Sequence, residues 1–128
     1  MYKRQEICEG TDLPEQFISK IMRNLTKADL LTSARGRGGG FALARDPSTI
    51  SLYDIVEVID GVQQYTGCVL GLSACDDTQP CPQHEYVKPV RQKVLSYLRN
   101  TTLDVMSQAL VEKQQLLKRV QRGRIAKP

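Results

Sequence analysis

The sequence predicts a mainly α protein: a winged helix-turn-helix with a small two-stranded wing, then a cysteine loop and C-terminal dimerisation helices. Three observations carry this. A short helix, a glycine-containing turn and an amphipathic helix with a polar outer face open the chain. Two short apolar runs then flank Arg35-Gly36-Arg37-Gly38-Gly39-Gly40. Apolar residues finally recur at helical spacing between Val87 and Leu117, more than so small a core can cover, and so imply a partner subunit.

Residues 3–9 are helical in composition, and Gly10-Thr11-Asp12 breaks them. Gly10 is expected in the left-handed conformation of a helix C-terminus. Pro14, with φ fixed near the helical value, suits the first turn of the next helix, which is predicted to run to about Ala28. Phe17, Ile18, Ile21, Met22 and Leu25 fall on its buried face. Gln16, Ser19, Lys20, Arg23 and Lys27 are left on the other face, and the first four of these are expected to meet DNA.

Any helical hairpin could share that pattern, and the next segment sharpens it. Residues 30–34 and Phe41-Ala42-Leu43 read as two strands. The glycines between them permit positive φ and close backbone approach, while Arg35 and Arg37 supply charge at the tip. A nucleotide-phosphate loop is excluded, because no Gly-Lys-Ser/Thr follows and no strand leads into a helix here. The bland alternative is a flexible hairpin with incidental arginines.

Residues 46–49 form a turn. Ser51-Leu52-Tyr53-Asp54 has capping-box spacing, with Asp54 where glutamate is usual. It opens a helix with Leu52, Ile55, Val56 and Ile59 on one face, ending at Gly61. Residues 62–84 show no period. From Glu85 the helical pattern resumes, Asn100-Thr101 interrupts it, and residues 101–104 cap a last helix carrying Leu103, Met106, Leu110 and Leu117. The tail from Lys118 is basic and expected to fray. Three parts follow: a DNA-binding region over 1–61, a cysteine loop over 62–84, and dimerisation helices with a basic tail over 85–128.

Composition fits one globular domain: 128 residues, 41% hydrophobic and 25% charged. No apolar run approaches the ~18 residues a membrane span needs, and no signal-peptide core follows Met1-Tyr2-Lys3-Arg4, so the expected location is cytoplasmic. Residues 1–45 carry 8 Lys/Arg against 5 Asp/Glu, residues 46–87 none against 7, and residues 88–128 carry 10 against 2. Two basic ends around an acidic middle suit a polyanion partner, although solvated helix faces would give the same distribution.

Three cysteines and the single histidine fall at Cys68-x6-Cys75-x5-Cys81-x2-His84. Thiolates and imidazole bind zinc or iron–sulfur clusters. The close cysteine pairs of a structural zinc site are missing. On spacing alone, a cluster, zinc and a set of buried thiols stand nearly equal. Cys8, apart in the first helix, reads as a packing residue.

The run from Leu13 to Phe41, with Arg35-Gly36-x-Gly38-Gly39-Gly40-Phe41 after an amphipathic helix, resembles the bacterial winged-helix regulators of the IscR/NsrR family. Ser51-Leu52-x-Asp54-Ile55-Val56-x-x-Ile59-Asp60-Gly61 and the three-cysteine loop extend the resemblance over nearly the whole chain. It implies a homodimeric transcription factor bound to a double-stranded DNA operator, with the second helix in the major groove and Arg35 as the wing arginine. Arg37 stands where proline is common in the family. The resemblance also implies an iron–sulfur cluster that modulates DNA binding, on Cys68, Cys75 and Cys81. His84 matches the fourth ligand of members that hold a 2Fe–2S centre. Other members take that ligand from the partner subunit, and some carry 4Fe–4S.

The chain departs from the family in two places. Its first two loop cysteines are one residue further apart than is common. Members also carry one to two helices ahead of the point where Met1 falls. Apolar faces around Ile7, Ile21 and Leu30 are therefore expected to be partly uncovered. The function expected is cluster-modulated transcriptional regulation, the alternative being a small zinc- or iron–sulfur-binding scaffold. An enzyme is not expected: there is one histidine and neither a nucleophile–base pattern nor an organic-cofactor motif.

Overall fold

The structure, a computed structural model, describes residues 1–62, 65, 67, 68, 70 and 77–123. Helices α1 (Arg4–Glu9) and α2 (Glu15–Lys27) lead into the antiparallel strands β1 (Leu31–Ala34) and β2 (Gly40–Leu43). A 3₁₀ turn over Pro47–Thr49 precedes α3 (Leu52–Ile59), and α4 (His84–Asn100) and α5 (Leu103–Gly123) follow the cysteine loop. This is the mainly α, winged architecture that the sequence predicts.

Local chemistry explains most boundaries. Pro14 stands one place before α2, where its carbonyl accepts from the Phe17 and Ile18 N–H groups at 3.1 Å each. At the other end the Leu30 N–H reaches the Leu25 carbonyl (3.0 Å) and the Asp29 N–H reaches Thr26 (3.1 Å), with Asp29 left-handed at φ 61°. That is a Schellman closure, and aspartate is one of the few side chains that tolerate the conformation. Gly10, by contrast, stays right-handed at φ −81°, correcting the expectation. The chain turns there through short-range bonds from Gly10 N–H to Ile7 and from Thr11 N–H to Cys8, so no left-handed residue is required.

The capping box opening α3 forms as expected. Ser51 Oγ accepts from the Asp54 N–H at 3.1 Å, and Asp54 Oδ2 accepts from the Ser51 N–H at 3.0 Å. Gly61 ends this segment at φ 73°. The wing pairs Leu31 with Leu43 and Ala34 with Gly40. Tyr2 adds a third backbone line on the far side of β2, exchanging bonds with Phe41 at 2.8 and 2.7 Å. Gly40, at φ 140°, lies directly under that line, and a Cβ there would strike the Tyr2 carbonyl.

Among the described residues Ile18, Leu30, Ile50, Val62 and Leu98 form the apolar core. Helix α2 packs on α1, β1 and α3, and α3 packs on α4. Across that last contact the Arg99 guanidinium lies 4.8 Å from the Tyr53 ring centroid. Two backbone bonds join the α4–α5 junction to the start of α3: Leu52 N–H to Thr101 O and Leu103 N–H to Ile50 O, both 2.9 Å.

Three expectations change. Leu30 is only 5% exposed, so the uncovering expected there does not occur, while Ile7 and Ile21 are half-buried. Phe17 is 50% exposed, because so small a core cannot cover the apolar stripe of α2 from end to end. The stretch 118–123, expected to fray, continues α5. That helix packs against the 3₁₀ turn and leaves Val105, Leu110, Leu116 and Leu117 exposed.

Candidate functional site

Helix α2 presents Gln16, Lys20 and Arg23 to solvent and buries Ile18, with Ile21 and Leu25 half-buried, as its period predicts. Ser19 is already committed. Its hydroxyl donates to the Glu15 carbonyl at 2.9 Å and accepts from Arg4 Nη1 at 3.2 Å. Arg4 in turn pairs through Nε with Glu15 Oε1 at 3.1 Å. Arg4 had no place in the sequence reading of the site; the signal was the Lys3-Arg4 pair, only 15 positions before Ser19 but on another helix.

At the wing tip Gly36 (φ 85°) and Gly38 (φ 73°) supply the left-handed positions that the turn needs. Gly39 is buried, its N–H reaching the Gly36 carbonyl at 3.0 Å, and a Cβ there would strike the Ala34 carbonyl. Arg35 and Arg37 are both exposed. An open cleft of about 670 Å³ runs between α1, α2 and the wing, and Ser19, Arg23 and Arg35 line it together. Gln16, Lys20 and Arg37 lie outside its lining.

In the loop, Cys68 and Cys81 are half-buried, and Cys75 lies outside the described residues. His84 is 5% exposed and is the first residue of α4 rather than the last of the loop; its N–H donates to the Cys81 carbonyl at 3.0 Å. His84 Nε2 lies 3.0 Å from Asp77 Oδ1, and Lys88 Nζ donates to the same oxygen at 2.7 Å. The Lys88 bond, followed by that of His84, holds the Asp77 carboxyl below its ordinary value, and the Asp77 bond holds the Lys88 ammonium above its own. Among the described residues, no three His, Cys, Asp or Glu side chains converge as a metal-holding group. The donor chemistry still suits a thiolate-held centre: two half-buried thiols and a buried imidazole lie on one short segment. A carboxylate on one ring nitrogen is also the usual way a ligating imidazole is oriented.

A helix-turn-helix whose second helix and glycine-rich wing share one basic cleft defines a winged-helix DNA-binding protein. The family model Rrf2, described as an iron-dependent transcriptional regulator, matches residues 1–109. The chain belongs to this family, and its place there is that of a helix-turn-helix transcriptional regulator. The HTH-type transcriptional regulator IscR of Klebsiella pneumoniae is 27% identical over 112 residues, which cover 88% of this chain and 66% of that protein. The chain thus spans about two thirds of the length of this relative. The solved structure of T. potens IscR matches with a TM-score of 0.66 at 27% identity, over 88% of this chain and 72% of that one. CymR, the global cysteine regulator of B. subtilis, matches with a TM-score of 0.66 at 24% identity, over 84% and 78%, a likeness of fold alone. No described helix is long and apolar enough to cross a membrane.

Proposed function

We propose that this chain is a homodimeric, sequence-specific DNA-binding regulator whose affinity for its operator is modulated by an iron–sulfur cluster. The observation that carries the DNA-binding part is the single basic cleft in which Ser19 and Arg23 of the reading helix meet Arg35 of the wing. Gln16, Lys20 and Arg37, exposed beside it, extend the surface. Gln16 and Ser19 have the chemistry to read base edges, and Lys20 and Arg23 to position the duplex. With its O–H on the Glu15 carbonyl and one lone pair on Arg4, the Ser19 hydroxyl keeps a second lone pair that can accept from a base-edge donor.

Cys68, Cys75 and Cys81 would hold the cluster as thiolates, with His84 as the fourth ligand of a 2Fe–2S centre; 4Fe–4S is the other form this set could take. A bound cluster supplies a centre whose charge changes with its redox state. The chain's own part is to anchor that change at the start of α4, which packs on α3 within the DNA-binding unit.

Anaerobic purification tests the reading. Coloured protein with iron and sulfide in equal amounts, and with operator affinity that changes when the cluster is removed, is the expected result. Asp77 on His84 Nε2 favours a second reading, a regulator that works without a cluster. Colourless, iron-free protein that still binds a selected duplex would establish that reading instead. Stoichiometric zinc with no duplex binding would leave the scaffold alternative.

A further inference from the structure

The cleft carries more positive charge than the reading residues supply. Lys3, Arg4 and Lys27 line it beside Arg23 and Arg35, and no carboxylate is among its described lining residues. These cations come from three separate elements and face one space. Lys3 is held in place by the paired bonds of its neighbour Tyr2 with Phe41. The opposing wall is the wing at Ala34–Gly36 and Gly39–Gly40, where glycine leaves bare backbone. Phe41 is the one aromatic residue among the described lining residues, so base stacking has little to work with there.

When one helix occupies a major groove and a wing the neighbouring groove, the strip of duplex between them is one sugar–phosphate strand. We infer that this cleft seats that strand, with Lys3, Arg4 and Lys27 as phosphate contacts. The inference rests on the DNA-binding reading above and adds three residues to it. Arg4 uses Nε on Glu15 and Nη1 on Ser19, and a guanidinium has five N–H donors, so it can take a phosphate oxygen without releasing both partners. Glu15 offsets part of the Arg4 charge and acts as a brake on binding to any duplex.

The test is the affinity of the full chain for a random-sequence duplex, followed by fluorescence anisotropy over a range of salt. Lys3→Gln, Arg4→Gln and Lys27→Gln should each weaken binding and lower the slope of log K against log salt by about 0.9. Glu15→Gln should tighten binding at low salt. Lys93→Gln, an exposed lysine on α4 outside the cleft, should leave the slope unchanged. Circular dichroism melts should match the parent for all five. Cleft variants that move the slope no more than Lys93→Gln does would overturn the inference while leaving DNA binding intact. Glu15→Gln weakening binding as Arg4→Gln does would reduce that pair to a structural tie and remove Arg4 as a contact. A parent chain that binds no duplex in a salt-dependent way would sink the DNA-binding reading itself, and the inference with it.

Discussion

The two halves of the molecule are organised differently. In residues 1–61 nearly every boundary is set by a local device: the Schellman closure at Asp29, the glycines of the wing, the Ser51–Asp54 box. Three of the five core apolar residues, Ile18, Leu30 and Ile50, also lie there. In the C-terminal half α5 spans 21 residues and leaves most of its apolar side chains, Val105, Leu110, Leu116 and Leu117 among them, in solvent. The first half holds most of the apolar core, although Phe17 stays half-exposed, and the second carries the longer run of exposed apolar side chains.

Substitutions can break or sharpen this contrast. The largest expected effect is on the loop: Cys81→Ser should abolish visible absorption of anaerobically purified protein while leaving affinity for random duplex unchanged. Undiminished colour would remove Cys81 from the ligand set. Next comes the core, where Ile50→Ala should lower the unfolding free energy by about 2–5 kcal/mol, read by denaturant titration. Gly40→Ala should cost roughly 1–3 kcal/mol, because the new Cβ meets the Tyr2 backbone at positive φ. Gly61→Ala has the same kind of φ but open space around it, and should cost only about 1 kcal/mol in the same titration. Ser51→Ala, which removes a cap, belongs near 1 kcal/mol. The smallest change is on α5: Leu110→Gln should alter monomer stability by less than about 0.5 kcal/mol. It should still shift sedimentation toward monomer, and unchanged sedimentation would separate this face from self-association.

What was legible in the sequence follows the same division. The period of α2, the capping box and the paired strands depend on residues a few positions apart, and each was readable. The misses involve partners far along the chain or absent from it. Tyr2 meets Phe41, which the apolar alternation of the wing could not indicate. Ser19 was legible as outward and polar, but its Arg4 partner arrives from another helix. The loss of period over 62–84 sets His84 at the end of the loop, whereas it opens α4, and its Asp77 partner comes from the aperiodic segment, where spacing gives no guide to contacts. Gly10 shows the opposite error: a residue that permits the left-handed conformation does not have to adopt it.

The clasp between the start of α3 and the α4–α5 junction is made wholly of main-chain groups, the Leu52 and Leu103 amides and the Thr101 and Ile50 carbonyls. Its hydrogen bonds therefore do not depend on side-chain identity at those positions. Substitution by proline at 52 or 103 alone removes a donor outright. The joint between the two halves is thus tolerant of sequence drift, and the side chains around it can vary to suit other needs while the connection persists.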